Sequence, residues 1–321
     1  MRRRALLAAL AAVAAAPLAG AAAEGSFDAF LAGLRPEARR AGIRERTLEV
    51  AFAGVRPNQR VIDADRKQPE FTMTWARYRG FTMSDKRIER GRAAYAANRA
   101  LFQRVSERYQ VEPGVIAGIW GLESNFGTDT GSYNVIEALA TLAWEGRRAG
   151  FFRSQLLSAL KILEHGDVAP ARMLGSYAGA MGQPQFMPDS YLRYAVDFDG
   201  TGRRDIWDSR GDVLGSIANY LASSGWRAGE PWGQPVQVPA ALGPGDIGRE
   251  QRRSLAEWQR LGVRRIDGTG FSHLEAQGSV IQPDGAGGEA FMAYGNFNAI
   301  RRYNPSDFYA LAVGLLGDMV T

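Results

Sequence analysis

Apolar residues recur every three or four positions along most of the chain, interrupted by short breaks rich in Gly and Pro, and this pattern predicts a mainly helical protein. Phe27, Phe30, Leu31 and Leu34 share one helical face, and Leu48, Phe52 and Val55 continue the spacing, with Pro36 expected to open a new helix between them. Residues 88–109 read as one amphipathic helix with Leu101, Phe102 and Val105 turned to the core. The preceding segment, 67–83, carries Phe71, Trp75, Tyr78 and Phe81, a spacing that points to core packing before it points to a sugar platform.

The most apolar helix runs V-I-A-G-I-W-G-L-E-S-N-F-G over 115–127 and is opened by Pro113. Val115, Ile119 and Leu122 form one stripe, which Ile116 and Trp120 widen, so the first strongly polar side chain is Glu123. Ser124, Asn125 and Gly127 are turn formers and should stop the helix at or just after this acid. An apolar wall and the negative end of a helix dipole both disfavour the carboxylate, which is what a general acid requires. The other reading is a helix-end Glu that points into water.

Further helices are expected over 137–144, 151–163 and 213–221, with Arg147 and Arg148 in the first of the intervening breaks. In S-Y-A-G-A-M-G-Q-P-Q-F-M-P-D-S-Y, residues 176–191, Gly179 and Gly182 permit close backbone approach while Pro184 and Pro188 forbid a continuous helix. Gln185 there can donate and accept hydrogen bonds, which suits a polar ligand such as sugar; the alternative is a structural turn packed by Met181, Phe186 and Met187. Next, Asp197, Asp199, Thr201 and Asp208 occupy positions 1, 3, 5 and 12 of a calcium-loop pattern. Gly202 is at position 6, Arg203 at the carbonyl position 7 and Asp205 at position 9. Thr201 and the short Asp208 depart from that pattern, and a hydrogen-bonded Asp-rich turn is the competing reading. Residues 233–290 change character, with the β-like runs 235–239 and 278–282 around one helix at 250–261. Helix returns from Pro305, after Arg301-Arg302-Tyr303-Asn304.

The first 23 residues stand apart. Arg2, Arg3 and Arg4 precede an Ala/Leu-rich run too short to span a membrane, followed by Pro17 and small residues to Ala23, the form of a cleaved secretory leader. The chain has no cysteine, so neither disulfides nor a lipidated N-terminal cysteine is expected. Its formal charge of +5 falls to +2 without the three leader arginines. That is too weakly basic for a nucleic-acid partner, though it suits an anionic polymer.

Taken in series, five segments resemble the lytic murein transglycosylases of the B type, glycoside hydrolase family 103. They are G-L-E-S-N-F-G around Glu123, G-S-Y-A-G-A-M-G-Q-P-Q-F-M-P from Gly175, D-F-D-G-T-G-R-R-D-I-W from Asp197, A-N-Y-L-A-S-S-G-W from Ala218 and R-Y-N-P-S-D-F-Y-A-L-A-V from Arg302. The resemblance implies a mainly α (α+β) fold: a leader at 1–23, an N-terminal helical domain at 24–110, a lysozyme-like catalytic core at 111–232 with its ion loop at 197–208, a small mixed α/β insertion at 233–290, and a C-terminal segment at 291–321 completing the core or the helical domain. It implies Glu123 as sole acid and base, with Ser176, Gln185, Phe186, Tyr303 and Asn304 on the glycan and Arg147 and Arg148 toward the peptide side. The loop Asp197, Asp199, Thr201, Arg203 and Asp208 would hold a structural calcium or sodium ion, no cofactor being needed for catalysis. The expected setting is a periplasmic monomer, without membrane anchor, acting on peptidoglycan glycan strands; any recruiting partner would belong to the cell-wall synthesis or secretion machinery. A hydrolytic muramidase and a non-catalytic wall-binding scaffold are the alternatives.

Overall fold

The computed structural model describes residues 25–67 and 73–321; the leader at 1–23 and Phe71 lie outside the described residues. The described chain is mainly helical with a small antiparallel sheet. By contacts it forms two compact units, residues 25–67 with 123–219, and residues 73–122 with 220–321. Among the described residues no helix is long and apolar enough to cross a membrane.

In the first unit, helices α1 (Phe27–Arg40), α2 (Glu45–Phe52) and α3 (Gln59–Arg66) precede α8 (Val135–Glu145), α9 (Ala149–His165), α10 (Pro188–Tyr194) and most of α11 (Arg210–Ser223). The helices α8 and α9 supply the core, with Ile136, Leu139, Leu156 and Leu160 fully buried, each such side chain contributing about 1.5–3 kcal/mol. Helix α1 does not break at Pro36 but runs through it. One ladder bond is lost there, and the burial of Leu34 and Ala38 on either side holds the helix together. Asn58 caps α3 and also ties it to α8, its N–H donating to Thr141 Oγ1 (3.1 Å) and its Nδ2 to Glu137 Oε1 (2.7 Å). Two short strands, β1 (Tyr133–Asn134) and β2 (Leu174–Gly175), pair antiparallel beside these helices.

In the second unit, α4 (Trp75–Thr82) buries Trp75 and Tyr78, whose rings meet Phe308, while Phe81 is exposed. The expected single helix at 88–109 is two, α5 (Asp85–Ala97) and α6 (Arg99–Tyr109), broken at Asn98, where ψ is 16°. The side chain of Asn98 turns back to donate to the Ala94 carbonyl, competing with the helical ladder. The helices expected to form one N-terminal domain are thereby shared between the units, because α1–α3 find their apolar partners on α8 and α9, and α4 finds its own in the C-terminal third.

Strands β3 (Gly233–Gln237), β4 (Arg252–Ser254), β5 (Arg264–Arg265), β6 (Gln277–Ile281) and β7 (Ala290–Ala293) form one antiparallel sheet in the order β4-β6-β7-β3-β5. Its core is Val236, Val280 and Met292 under Leu255, Trp258 and Val263. The helix expected over 250–261 is only α12 (Leu255–Arg260), since 252–254 pair with β6 and a capping box between Ser254 and Glu257 fixes the helix start. The chain ends in α13 (Gly295–Tyr303), which the periodicity did not announce, and the apolar α14 (Asp307–Val320). Helix α7 (Pro113–Ser124) crosses α14 so closely that a Cβ on Gly118 would lie 2.1 Å from the Val313 carbonyl oxygen.

Candidate active site

Glu123 occupies the last turn of α7, half-buried, after Ile116, Ile119 and Trp120, which are wholly buried. The helix ends as its sequence predicts. Asn125 (φ 51°), Phe126 (φ 60°) and Gly127 (φ 83°) are successively left-handed, a conformation that costs a non-Gly residue roughly 1–2 kcal/mol. Several contacts offset that cost. Phe126 is buried, Gly127 N–H donates to Ser124 Oγ (3.1 Å), Asp129 N–H to the Ser124 carbonyl (2.9 Å), and Thr128 Oγ1 to the Asn125 carbonyl (3.0 Å). The backbone that fixes the acid is therefore a tight, hydrogen-bonded knot.

The loop after β2 belongs to the same unit. Gly131 packs on Gly175 with no room for a Cβ, which joins the stretch after Glu123 to the start of this loop. Ser176 Oγ accepts the Ala180 N–H (3.1 Å). Gln185 is left-handed (φ 52°), and its Nε2 donates to the carbonyls of Gly182 (2.7 Å) and Thr130 (3.1 Å). Its amide nitrogen is thus committed to holding the loop, which leaves the carbonyl oxygen for a ligand. Phe186 is buried, bridged through the backbone to Met181, and packs the turn rather than lining a surface. Beneath the loop, Gln183 donates to the Trp207 carbonyl (2.7 Å) and accepts from Arg210 Nη1 (2.5 Å), and burial lowers the Arg210 pKa.

Arg147 and Arg148 converge on Asp65, a buried acid of α3 that sequence reasoning missed. In the second unit, Tyr303 lies between Tyr220 (ring centroids 4.6 Å) and Tyr309 (6.4 Å), and Tyr220 Oη donates to the Arg302 carbonyl (2.5 Å). Asn304 is buried and accepts the Ser306 N–H (3.1 Å). The only signal for Tyr220 was its place in the A-N-Y-L helix.

The Asp-rich loop is held by its own amides. Asp197 accepts Thr201 N–H (2.9 Å) and Gly202 N–H (2.7 Å), which holds its carboxyl below the usual range, and Asp199 accepts the Ser209 hydroxyl (2.7 Å). Thr201 Oγ1 turns to the Arg203 carbonyl (3.4 Å), and Asp208 is exposed and ion-paired with Arg172. Fully buried Asp212, outside the 12-residue pattern, accepts Phe198, Asp199 and Asp205 N–H at 2.7, 3.3 and 2.7 Å. The donors are all oxygen, which suits a hard cation. In this arrangement the carboxylates of Asp197, Asp199 and Asp208 are turned to the loop amides, Ser209 and Arg172, and no group of three acidic or histidine side chains among the described residues is gathered to hold a metal ion.

Residues 26–318 match the family model described as the transglycosylase SLT domain. The chain is 34% identical over 249 residues to the membrane-bound lytic murein transglycosylase B of Escherichia coli K12, spanning 77% of this chain and 67% of that protein. Among solved structures it is similar to SltB3 of Pseudomonas aeruginosa in complex with NAG-anhNAM-pentapeptide, with TM-score 0.90, 46% identity, and 92% and 80% of the two chains covered. It is also similar to the Escherichia coli lytic transglycosylase SLT35 in complex with calcium, with TM-score 0.76, 30% identity and 92% of each chain covered. The mainly helical, lysozyme-like fold expected from the sequence is thereby established.

Proposed function

The chain belongs to the lytic murein transglycosylases, enzymes that act on peptidoglycan, and we propose that it cleaves the bond between N-acetylmuramic acid and N-acetylglucosamine without water, using Glu123 first as acid and then as base. Protonated Glu123 donates to the glycosidic oxygen as the bond to muramic C1 breaks. The oxocarbenium-like charge at C1 is met by the substrate's own acetamido group. The Glu123 carboxylate then takes the proton from the C6 hydroxyl as O6 bonds to C1, closing the 1,6-anhydro ring and restoring the acid. Such acid–base participation contributes about 10²–10⁴ in rate.

The observation that carries this reading is a lone acid in the last turn of an otherwise apolar helix, locked by a left-handed turn. Two facts support it. The Pseudomonas relative was solved with an anhydro-muramyl fragment. Of the two acids that next follow it in sequence, Asp129 is exposed and Glu137 accepts from Asn58. Ser176, Gln185, Tyr303 and Asn304 are proposed as glycan contacts, Phe186 as packing behind Gln185, and Arg147 and Arg148 as the contact for the anionic peptide stem. The leader supports export to the periplasm, where that polymer lies. The calcium-bound relative supports a structural calcium at Asp197, Asp199, Thr201 and the Arg203 carbonyl. Binding would require the carboxylates to turn from the loop amides, and Asp208 to leave Arg172. A rise in Tm on adding calcium, reversed by chelation, tests this.

Mass spectrometry of fragments released from purified murein tests the reaction, with Glu123→Gln as the comparison. Anhydro-muropeptides from the wild type and none from the variant are expected. Reducing-end products would make the protein a hydrolytic muramidase, and binding without products would make it a scaffold.

A further inference from the structure

Asp65 is 2% exposed in the last turn of α3, where the helix dipole already disfavours an anion. Two guanidiniums compensate it. Arg147 donates from Nε to Asp65 Oδ2 (3.0 Å) and from Nη2 to the Asp65 carbonyl (3.0 Å), while Arg148 donates from Nη2 to Oδ1 (2.5 Å). One carboxylate therefore grips both arginines by one edge each. The Arg148 plane is further fixed over the Phe152 ring at 4.8 Å. Next to them, Glu145 pairs with Arg66 and accepts the Arg147 N–H (3.2 Å). Arg66 is set between Glu145 and Asp63, whereas Arg147 and Arg148 share the one carboxylate of Asp65, so this pair carries one positive charge more than its counter-ion.

That charge is presented outward. The Arg147 side chain is 48% exposed and that of Arg148 32%. The Nη1 groups of both arginines donate to no other group among the described residues. Asn58 anchors α3 to α8 through Thr141 and Glu137, so the acid that holds the pair is itself on a fixed element.

We propose that Asp65 is the positioning residue that orients Arg147 and Arg148 toward a carboxylate of the peptide stem, making the enzyme selective for stems with a free carboxylate over amidated ones. The inference rests on the reading of the arginine pair as the stem contact. Asp65 itself touches no substrate. It fixes two flexible side chains before the polymer arrives, so less conformational entropy is lost on binding.

Steady-state kinetics on soluble NAG-NAM-pentapeptide oligomers tests this, using stems with free carboxylates, the same stems amidated, and peptide-free glycan. Asp65→Asn should raise KM on the free-carboxylate stem about ten-fold, the worth of roughly one charge-assisted hydrogen bond, with kcat within about two-fold and KM on the other substrates unchanged. Losses shared by all three substrates, or no loss on any, would overturn it. If D65N does not fold, Asp65→Glu carries the same test, since it keeps the charge but displaces both guanidiniums. Arg147→Gln with Arg148→Gln separates the two levels. An unchanged KM there refutes the stem contact itself, whereas a raised KM beside an unaffected Asp65 variant refutes only the role of Asp65.

Discussion

Gly127 lies against Gln183: a Cβ at position 127 would come within 2.4 Å of Gln183 Oε1 and 2.7 Å of Arg210 Nη1. The turn that closes the Glu123 helix is thus seated on buried Gln183 and its half-buried partner Arg210, and no side chain fits between them. Gly127→Ala adds this clash to a left-handed strain of roughly 1–2 kcal/mol. The turn should shift, and with it the acid four residues upstream. We expect a lower Tm and a rate of murein solubilisation reduced about ten-fold or more at temperatures where the variant is folded, since ångström-scale misplacement of a catalytic group is costly. A folded G127A with the wild-type rate would show that this turn does not place Glu123.

Asp212 organises the Asp-rich loop from inside. Burial raises its carboxyl, and the N–H groups of Asp205, Asp199 and Phe198 offset that rise. Asp212→Asn keeps the shape but turns an amino group toward backbone donors. A buried donor left facing a donor costs about 1–3 kcal/mol, and hydrogen bonds to a charged acceptor are among the stronger ones lost. The expected result is a clear drop in the denaturant midpoint. Asp197→Asn, at the exposed end of the same loop, should move it far less. Equal midpoints for the two variants would assign the loop's order to something other than Asp212.

These two buttresses also show what the sequence could and could not reveal. The end of α7 at Glu123 was legible because turn formers follow an apolar run locally. The break at Asn98 was not, since a side chain bonding its own backbone overrides an intact apolar period. Nor was β4, because 252–254 are strand only through pairing with 277–279. Of the site, the segments around Glu123 and Gln185 were visible as motifs. Asp65, Arg210 and Asp212 were not, nor was the pairing of Gln183 with Arg210, since each matters through a partner brought near by folding. Asp65 meets Arg147 from 82 residues away, so neither reads as half of a pair. Phe186 and Asn304 were visible as motif members, but their burial was not.

Gly118 sets the approach of α7 to α14. A Cβ there would lie 2.1 Å from the carbonyl oxygen and 2.9 Å from the carbonyl carbon of Val313, both backbone atoms that cannot swing aside. Gly118→Ala should therefore cost about 1–3 kcal/mol by overpacking. Because Glu123 sits in the last turn of α7, activity should fall further than the folded fraction alone predicts. Gly80→Ala in α4 is the contrast, since its Cβ meets nothing within 4 Å and alanine should stabilise that helix by roughly 0.5–1 kcal/mol. Thermal melts of both variants decide it, and similar shifts would remove the close approach from the account.

Asp318 gives the fold a pH dependence of known sign. Asp318 keeps an exposed surface, but partial desolvation raises its carboxyl above the ordinary value, and the hydrogen bond from Trp232 Nε1 (3.2 Å) offsets only part of that rise. The folded chain therefore holds this proton more tightly than the unfolded one. The associated stability is fully present below the unfolded-state pKa and is lost as pH rises through the higher folded-state value. Asp318→Asn keeps an acceptor for Trp232 and removes the titration. Subtracting the wild-type Tm from that of the variant cancels every titration the two share. That difference should increase as pH is raised from about 4 toward 7 and then level off, leaving the variant relatively more stable at neutral pH. A flat difference would mean that Asp318 ionises in the folded protein as readily as in the unfolded chain, and a decreasing one that it ionises more readily.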